Sequence, residues 1–464
     1  MRVYAAFVSA LFVGAASACG ITLSGGSSDS VGDAGPRPAR DASLDASIPV
    51  VPGPLRLVRA GGDHTCALYK NGSARCWGRN SDGQLGLGDQ RDRAATPGET
   101  VASLPALDLG GAVVDVALGA AHTCALLSGG IAKCWGSGEN GRLGNEGTAQ
   151  VNGGLAALPA LPMSALQGLS AGDAHACALE GRGDVRCWGL GSSGQLGYDS
   201  GQTLGSKSGD MQALPSVTLA APARSIVAGR AHTCALLDGA GGAALKCWGS
   251  GTRGQLGQGD TAARGNGPGE MGKLGTIDFG VDTGGTRRSP LLVAAGSLHN
   301  CAILDDFETV CWGAGDAGAL GSGAASDVGS AKRDMLDLRG IDLGAGFVSH
   351  SLCAGEAFSC ALAEDGRVKC WGKNDRGQLG LGDGNPRGAS PGTMGAALAP
   401  VDLGAGNAAA QLTCGRAHAC ALLASGVLKC WGQNDHGQLG LGDAQDRGGA
   451  PETSGGNLPA VVLE

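Results

Sequence analysis

Apolar residues along this chain recur in short runs broken by glycine and polar residues, and no stretch keeps the 3.6-residue period of an amphipathic helix. Seven times a Cys-Ala-Leu or Cys-Ala-Ile tripeptide is followed, after a short gap, by Cys-Trp-Gly. These modules contain all seven tryptophans, at intervals of 53 to 64 residues. A repeat of this length indicates a supersecondary unit that buries its apolar face against its neighbours. The pattern predicts an all-β array of seven modules.

The two cysteines of each module are predicted to lie opposite each other on an antiparallel hairpin. Placing Cys66 opposite Cys76 leaves residues 70–72 as a three-residue loop that ends in glycine, the residue favoured in the left-handed position. The same register gives loops ending in glycine at 128–130, 181–183, 364–366 and 424–426. Phe307 replaces this glycine in the fifth module, and the fourth has three extra residues around 239–242, so these two turns are expected to differ.

Opposed positions on antiparallel strands lie within disulfide range, so we predict one disulfide in each module. The alternative is reduced cysteines packed as small apolar side chains. The predicted pairs are Cys66–Cys76, Cys124–Cys134, Cys177–Cys187, Cys234–Cys247, Cys301–Cys311, Cys360–Cys370 and Cys420–Cys430. Cys353 and Cys414 form a possible disulfide between adjacent blades, although their spacing to the next repeat glycine suggests that they face opposite ways.

Histidine stands two residues before the first cysteine in six modules, and Phe358 takes its place in the sixth. We interpret it as a repeated structural hydrogen bond, because copies in separate blades do not converge on one metal ion and phenylalanine replaces one of them. The six histidines are His64, His122, His175, His232, His299 and His418. With two thiols per blade and no second pair nearby, zinc is not favoured, and we predict no metal site.

Four modules continue from the tryptophan as G-x-G-x-x-G, for example Gly136, Gly138 and Gly141. In nucleotide-binding enzymes this motif opens a helix, but no helical pattern follows here. The other three modules have asparagine at the middle position, which is typical of turns with positive φ. No nucleophile, paired carboxylates or base stands out from the repeat, so we predict a protein that is not an enzyme and has no cofactor.

The first eighteen residues carry one basic residue, Arg2, an apolar run over 3–13 and small residues before Cys19. This resembles a bacterial lipoprotein signal in which Cys19 is lipidated, and a plain secretory signal is the alternative. Residues 19–54 are rich in Gly, Ser, Asp, Ala and Pro and are predicted to form a disordered tether. The net charge of −8 argues against nucleic acid as a partner.

Two segments carry a resemblance to a known family: Ala-Gly-Arg-Ala-His-Thr-Cys-Ala-Leu at 228–236 and Cys-Trp-Gly-Lys-Asn-Asp-Arg-Gly-Gln-Leu-Gly-Leu-Gly-Asp at 370–383. The chain resembles the regulator of chromosome condensation repeat family over residues 55–464. The resemblance implies a seven-bladed β-propeller of four-stranded blades around a channel. Segments 104–109 and 458–463 match each other, and no such segment precedes residue 55, so we expect the last strand to complete the first blade, with both termini in one sheet.

These features favour a non-catalytic lipoprotein scaffold, monomeric and anchored to the outer membrane or cell surface by its lipid alone. It is expected to bind a protein partner through the loops of one propeller face, because length variation concentrates at 198–216 and 257–290. Arg264, Arg287 and Arg288 are candidate contacts. The alternatives are a secreted enzyme inhibitor if Cys19 carries no lipid, an enzyme acting on an extracellular polymer, and, by family analogy, a guanine-nucleotide exchange factor.

Overall fold

A computed structural model describes residues 51–239 and 242–464, and it contains seven sheets of three antiparallel strands. Each sheet is one blade built from consecutive strands. The strands are, in blade 1, β1 (Leu55–Ala60), β2 (His64–Tyr69) and β3 (Ala74–Gly78); in blade 2, β4 (Val113–Leu118), β5 (His122–Leu127) and β6 (Ile131–Gly136); in blade 3, β7 (Leu166–Ala171), β8 (His175–Glu180) and β9 (Val185–Gly189); in blade 4, β10 (Ala223–Ala228), β11 (His232–Gly239) and β12 (Gly242–Gly249); in blade 5, β13 (Pro290–Ala295), β14 (His299–Leu304) and β15 (Thr309–Gly313); in blade 6, β16 (Ser349–Ala354), β17 (Phe358–Ala363) and β18 (Val368–Gly372); and in blade 7, β19 (Ala409–Cys414), β20 (His418–Leu423) and β21 (Leu428–Gly432).

Helical segments are short and lie in the connections between strands. One α-helical turn, α1, covers Glu270–Lys273. The 3-10 turns are Val101–Ser103, Glu139–Gly141, Leu155–Ala157, Asp316–Gly318, Gly395–Ala397, Pro451–Thr453 and Gly455–Asn457. Among the described residues, no helix is long and apolar enough to cross a membrane.

The middle strand of each blade is covered on both faces, which explains its nearly continuous apolar sequence. In β2 all six residues are buried, because the neighbouring blades pack against both sides of the sheet. The predicted hairpin register is the one observed: Cys66 lies opposite Cys76, and Cys234 lies opposite Cys247 in the longer hairpin of blade 4.

The described residues contain eight disulfides, and seven of them join the pairs predicted within blades. The eighth joins Cys353 of β16 to Cys414 of β19 and so links blade 6 to blade 7. The innermost strands of adjacent blades stack side by side, and the side chain at the position of Cys353 points toward the next blade. Ser170, at the equivalent position of β7, also points toward the next blade, since its hydroxyl accepts a hydrogen bond from the backbone N–H of Ala228 at 2.8 Å.

Four-stranded blades are not observed. The predicted outer strand of each blade makes a backbone hydrogen bond to the third strand, for example from Leu107 N–H to the Ala74 carbonyl at 2.8 Å, and blade 7 adds an isolated β-bridge between Lys429 and Ala460. Prolines such as Pro105 interrupt these segments, and proline cannot donate to a strand ladder. The outer segments therefore act as edge covers and not as regular strands.

The expectation that the last strand would complete the first blade is wrong. Val461 N–H donates to the Leu428 carbonyl at 2.9 Å, so the final segment covers blade 7. In every module the outer segment that follows the tryptophan covers the blade of that same module. Blade 1 is therefore covered by the segment that contains Leu107 and needs no strand from the C-terminus. Apolar packing contributes to closing the ring, because Val51 and Leu55 share an apolar cluster with Val461.

Strand direction defines two sides of the propeller. The second strand of each blade runs to the hairpin turn and the third strand returns, so these turns lie on one side, which we call the hairpin face. The opposite side carries the turn between the first two strands and the long connection after the third strand, and we call it the loop face. The predicted signal 1–18, Cys19 and the tether up to residue 50 lie outside the described residues, and Val51 is already buried.

Candidate functional site

Adjacent blades are joined by a repeated hydrogen-bond group, which we call the latch. Between blades 1 and 2, His64 Nε2 donates to Thr123 Oγ1 at 2.8 Å. Thr123 Oγ1 donates in turn to the Gln84 carbonyl at 2.8 Å, and Trp135 Nε1 donates to the same carbonyl at 2.9 Å. The histidine and the carbonyl belong to one blade and the threonine and tryptophan to the next, so the latch holds the two blades in register.

The latch recurs around the ring and also closes it, since His418 of blade 7 bonds Thr65 of blade 1 at 2.9 Å. Two junctions differ. Ala176 occupies the threonine position opposite His122, and neither ring nitrogen of this buried histidine has a hydrogen-bond partner. Phe358 of blade 6 shares an apolar cluster with Ala419 at the equivalent position of blade 7.

The repeat histidines are neutral structural groups. Burial lowers the pKa of His64 and His175 to about 3 and that of His232, His299 and His418 to about 4. Their imidazole rings are fully buried, and the pKa of His122 is likewise well below its usual value because of burial. These side chains are therefore unable to present a base at the surface.

Arg264 belongs to a clamp that recurs in the connections of the loop face. Its guanidinium pairs with Asp260, four residues earlier, at 2.5 Å, and its backbone bridges to Gly249 at the end of β12. The same aspartate–arginine spacing forms pairs at Asp89–Arg93, Asp383–Arg387 and Asp443–Arg447. Arg264 is thus a repeat feature that stabilises its loop.

Arg287 and Arg288 lie elsewhere, toward the hairpin face. Arg288 has a side chain only 6% exposed, and it donates to Asp306 at 2.9 Å and to Glu308 at 2.6 Å. The Arg287 side chain is 66% exposed, and its nearest carboxylate, that of Asp278, is 3.7 Å away. The structure therefore does not bring the three predicted arginines together.

The centre of the loop face is the mouth of the propeller channel. Inner turns from all seven blades line a cavity of about 210 Å³ there. The position two residues before the repeat histidine points into this mouth and varies between blades. In chain order its occupants are Gly62, Ala120, Asp173, Arg230, Ser297, Glu356 and Arg416.

The mouth carries charges of both signs. Arg230 lies 3.4 Å from Asp173, and Arg416 donates to the buried Asp63 at 3.1 Å. Burial raises the pKa of Asp173 from its ordinary value, while Arg230 acts against this shift. Glu356 is exposed on the opposite side of the mouth. This mixed ring is suited to charge-paired recognition of another molecule.

The mouth was not predicted from the sequence, because its charged residues stand at a position inside the repeat and not outside it. The available signal was the variable position after the repeat glycine, which holds Gly, Ala or Ser in three modules and a charged residue in four. Among the residues that the structure describes, the only group of three His, Cys, Asp or Glu side chains close enough to share a metal ion is Cys353, Cys360 and Cys414. All three are held in disulfides.

The latched ring of three-stranded blades with a central mouth defines a repeat β-propeller. Sequence profiles of the regulator of chromosome condensation (RCC1) repeat match residues 56–84, 113–142, 167–195, 350–378 and 409–438, and a second profile matches 71–126 and 365–422. The chain is 30% identical over 431 residues to the ultraviolet-B receptor UVR8 of Arabidopsis thaliana, covering 91% of this chain and 85% of that protein. It belongs to the RCC1 repeat family.

Other matches agree on the fold. The human E3 ubiquitin-protein ligase HERC2 is 30% identical over 377 residues, 79% of this chain, which spans 7% of that much longer protein. The structure of Prp20p from Saccharomyces cerevisiae superposes with a TM-score of 0.61 at 20% identity, covering 88% of this chain and 87% of that one. Human WBSCR16 gives a TM-score of 0.60 at 18% identity, covering 83% and 92%.

Proposed function

We propose that this protein is an exported, non-catalytic scaffold that is anchored to the cell envelope through a lipid on Cys19 and binds a protein partner with its loop face. Relatives of the fold support the binding role. One solved structure is described with the binding properties of Prp20p to Gsp1p and histones, and another as Kap60 bound to yeast Prp20. Gsp1p, histones and Kap60 are named as partners of Prp20 alone.

The observation that carries the proposal is that all seven long connections begin on the face of a rigid ring that also holds the charged mouth. Latches join most neighbouring blades, so the loops are held in fixed positions before any partner arrives. Binding residues are commonly placed on loops that a rigid scaffold positions. Preorganised loops lose less conformational entropy on binding, which favours affinity.

The disulfides support export. Eight disulfides hold sixteen cysteines in the described residues, and such bonds persist in oxidising compartments and are rare in the cytoplasm. A lipid on Cys19 would then keep the folded ring at a membrane. If Cys19 carries no lipid, the same binding face would serve a secreted inhibitor, because a released protein reaches a free enzyme.

The mouth offers contacts on the loop face that the three candidate arginines do not, because Arg287, although exposed, lies toward the hairpin face. Arg264 and Arg288 are engaged in ion pairs inside the protein. Arg230 is half exposed and Glu356 is exposed, and both lie at the centre of the loop face. A partner that inserts a charged group into the mouth would therefore meet these two side chains first.

The test is a cross-linking pull-down from the native host with the full chain as bait. We expect one saturable protein partner, with capture reduced in the Arg230→Ala/Glu356→Ala variant and retained in Arg287→Ala, which changes an exposed arginine toward the hairpin face. Capture that depends on Arg287 and not on the mouth would contradict the choice of face. Metabolic labelling with an alkyne fatty acid, compared between the native chain and Cys19→Ala, tests the anchor separately.

A further inference from the structure

Phe307 occupies a position that the fold reserves for glycine. It is the last residue of the three-residue turn of blade 5 and has φ +64°. The equivalent turns end in Gly72, Gly130, Gly183, Gly366 and Gly426, all with positive φ. A bulky residue is unfavourable in this conformation, and residues held in such conformations cluster at functional sites.

The Phe307 ring adds to an apolar patch on the hairpin face. Phe307 is 50% exposed, and Val348, on the connection that follows it, is 48% exposed. In blade 1 the equivalent positions are adjacent, since a Cβ built on Gly72 would lie 2.7 Å from Ala112 Cβ; this spacing is too short for two real side chains, so the Phe307 turn must stand farther from Val348. Val281, 62% exposed, stands on the hairpin that Arg288 ties to the Phe307 turn through Asp306. We call Val281, Phe307 and Val348 the apolar patch.

The large apolar side chains exposed among the described residues are not scattered evenly. Six of the eight lie at the ends of strands or turns on the hairpin face, and the other two lie on outer segments. Those on the hairpin face are Val114, Ile131, Val281, Phe307, Val348 and Val427, and the remaining two are Leu336 and Val462. None of them lies on the loop face. The hairpin face therefore carries exposed apolar side chains, whereas the loop face carries the charged mouth.

The described chain begins on the hairpin face. The Lys70 backbone N–H, in the three-residue turn of blade 1, donates to the Pro54 carbonyl at 2.9 Å. A Cβ built on Gly426, in the turn of blade 7, would lie 2.1 Å from the Pro52 carbonyl oxygen. Residue 51 thus leaves the ring between two hairpin turns, and the segment that leads back to Cys19 starts from this side.

We propose that the hairpin face rests on a lipid bilayer, with Phe307, Val348 and Val281 inserted at its surface and the loop face turned away toward the partner. The inference rests on the proposed anchor at Cys19. A tether attached on the same side holds the apolar patch near the lipid. The effective concentration of the patch at the membrane surface is then high, so a few apolar contacts are enough to keep this face on the bilayer. Asp282 and Asp305 flank the patch and Arg287 bridges to Val281, so charges of both signs surround it and zwitterionic lipid is the contact to be tested.

The experiment places a photoreactive p-benzoylphenylalanine at one position of the full chain, made in its host with its own signal. The tested position is Phe307, and the matched control is Thr261, which is exposed on the loop face. After irradiation of membranes, we expect several-fold more lipid adduct from position 307 than from position 261. Equal lipid adducts at both positions, or adducts at 307 that contain another protein instead of lipid, would overturn the inference.

Two further measurements separate the possible failures. If fatty-acid labelling shows no lipid on Cys19, the anchor and the orientation both fail; if the label is present but position 307 yields no lipid adduct, only the orientation fails. Phe307→Gly restores the residue found in five other blades, so the variant is expected to fold. The amides of residues 305, 307 and 308 are already hydrogen-bonded within the protein, so the readout is the increase in their protection from hydrogen exchange when vesicles of zwitterionic lipid are added. We expect this increase in the native chain and not in Phe307→Gly, and an equal increase in both would count against the role of Phe307.

Discussion

The unpartnered histidine at the junction of blades 2 and 3 gives the sharpest test of the latch. His122 is fully buried and faces Ala176, whereas equivalent histidines bond Thr, Ser or Asn. Replacing Ala176→Thr supplies the missing hydroxyl. The Arg142 carbonyl, which already accepts from Trp188 Nε1 at 3.0 Å, is the acceptor that completes this group in the other blades. We expect the substitution to stabilise the protein.

The gain follows from the cost of leaving a buried polar group unpaired. That cost is about 1–3 kcal/mol, and a net buried hydrogen bond contributes about 1 kcal/mol, so an increase of about 1–2 kcal/mol in the free energy of unfolding is expected. For a propeller of about 400 residues the entropy of unfolding is roughly 0.8 kcal/mol/K, so the thermal midpoint should rise by about 2 °C. The converse change, Thr123→Ala, leaves His64 unpaired and should lower stability by a similar amount.

Urea and thermal unfolding, followed by the fluorescence of the buried tryptophans, measure both changes. The control is the same Ala176→Thr substitution in a His122→Phe background. Phenylalanine opposite alanine already occurs at Phe358 and Ala419, so this background should fold. If Ala176→Thr stabilises the native chain and the phenylalanine background equally, the gain does not come from the histidine hydrogen bond, and the latch argument is refuted.

Three other predictions concern pH and the disulfide between blades. The buried repeat histidines have pKa values far below 6.5, so between these values the unfolded chain binds more protons than the folded chain. The free energy of unfolding should therefore fall as pH drops from 6.5 toward 4, by up to about 1.4 kcal/mol per histidine per pH unit. Urea midpoints measured across this pH range check the prediction. The pKa of His436 is shifted in the opposite direction, because its hydrogen bond to Asp92 at 2.7 Å raises it. This pair between blades 7 and 1 therefore stabilises the protein below pH 6.5, and its contribution is lost as pH rises through the raised pKa. NMR titration should show a lower His436 pKa in Asp92→Asn. Cys353→Ser/Cys414→Ser opens a loop closed over a separation of 61 residues, and the chain-entropy model expects a loss of roughly 4 kcal/mol, against about 3 for a hairpin disulfide; a shift in urea midpoint no larger than that of Cys66→Ser/Cys76→Ser would contradict the ranking.

Local features of this fold were readable from the sequence, because their partners lie within a dozen residues. One register explained the loop lengths of five hairpins and placed seven pairs of cysteines. The Cys353–Cys414 disulfide was harder to foresee. Alternation along a strand decides which face of one sheet a side chain occupies, whereas contacts between stacked blades depend on the angle at which the sheets meet.

The remaining differences have related causes. The outer segments were read as strands because they are apolar, but a proline such as Pro105 leaves too few donors for a ladder. The segment 257–290 was treated as one loop, although it runs from the loop face over the outer edge to the hairpin face. Arg264 and Arg287 are therefore separated by the thickness of the blade. Sequence spacing gave the length of this connection but not its path.

The latch also bears on how such a ring is assembled from copies of one gene segment. Half of each hydrogen-bond group is encoded in one module and half in the next. The residues that must match are therefore those of two adjacent modules, and not those within a single module. Inserting a copy of blade 5 after blade 1 would place Asn300 opposite His64 and His299 opposite Thr123, so both new joints would be compatible. Inserting it after blade 6 would place Asn300 opposite Phe358 and leave His299 opposite Ala419, so both joints would be incompatible. Shuffling of modules is thus filtered by which residues meet at the joints, and a ring of near-identical parts keeps a defined order.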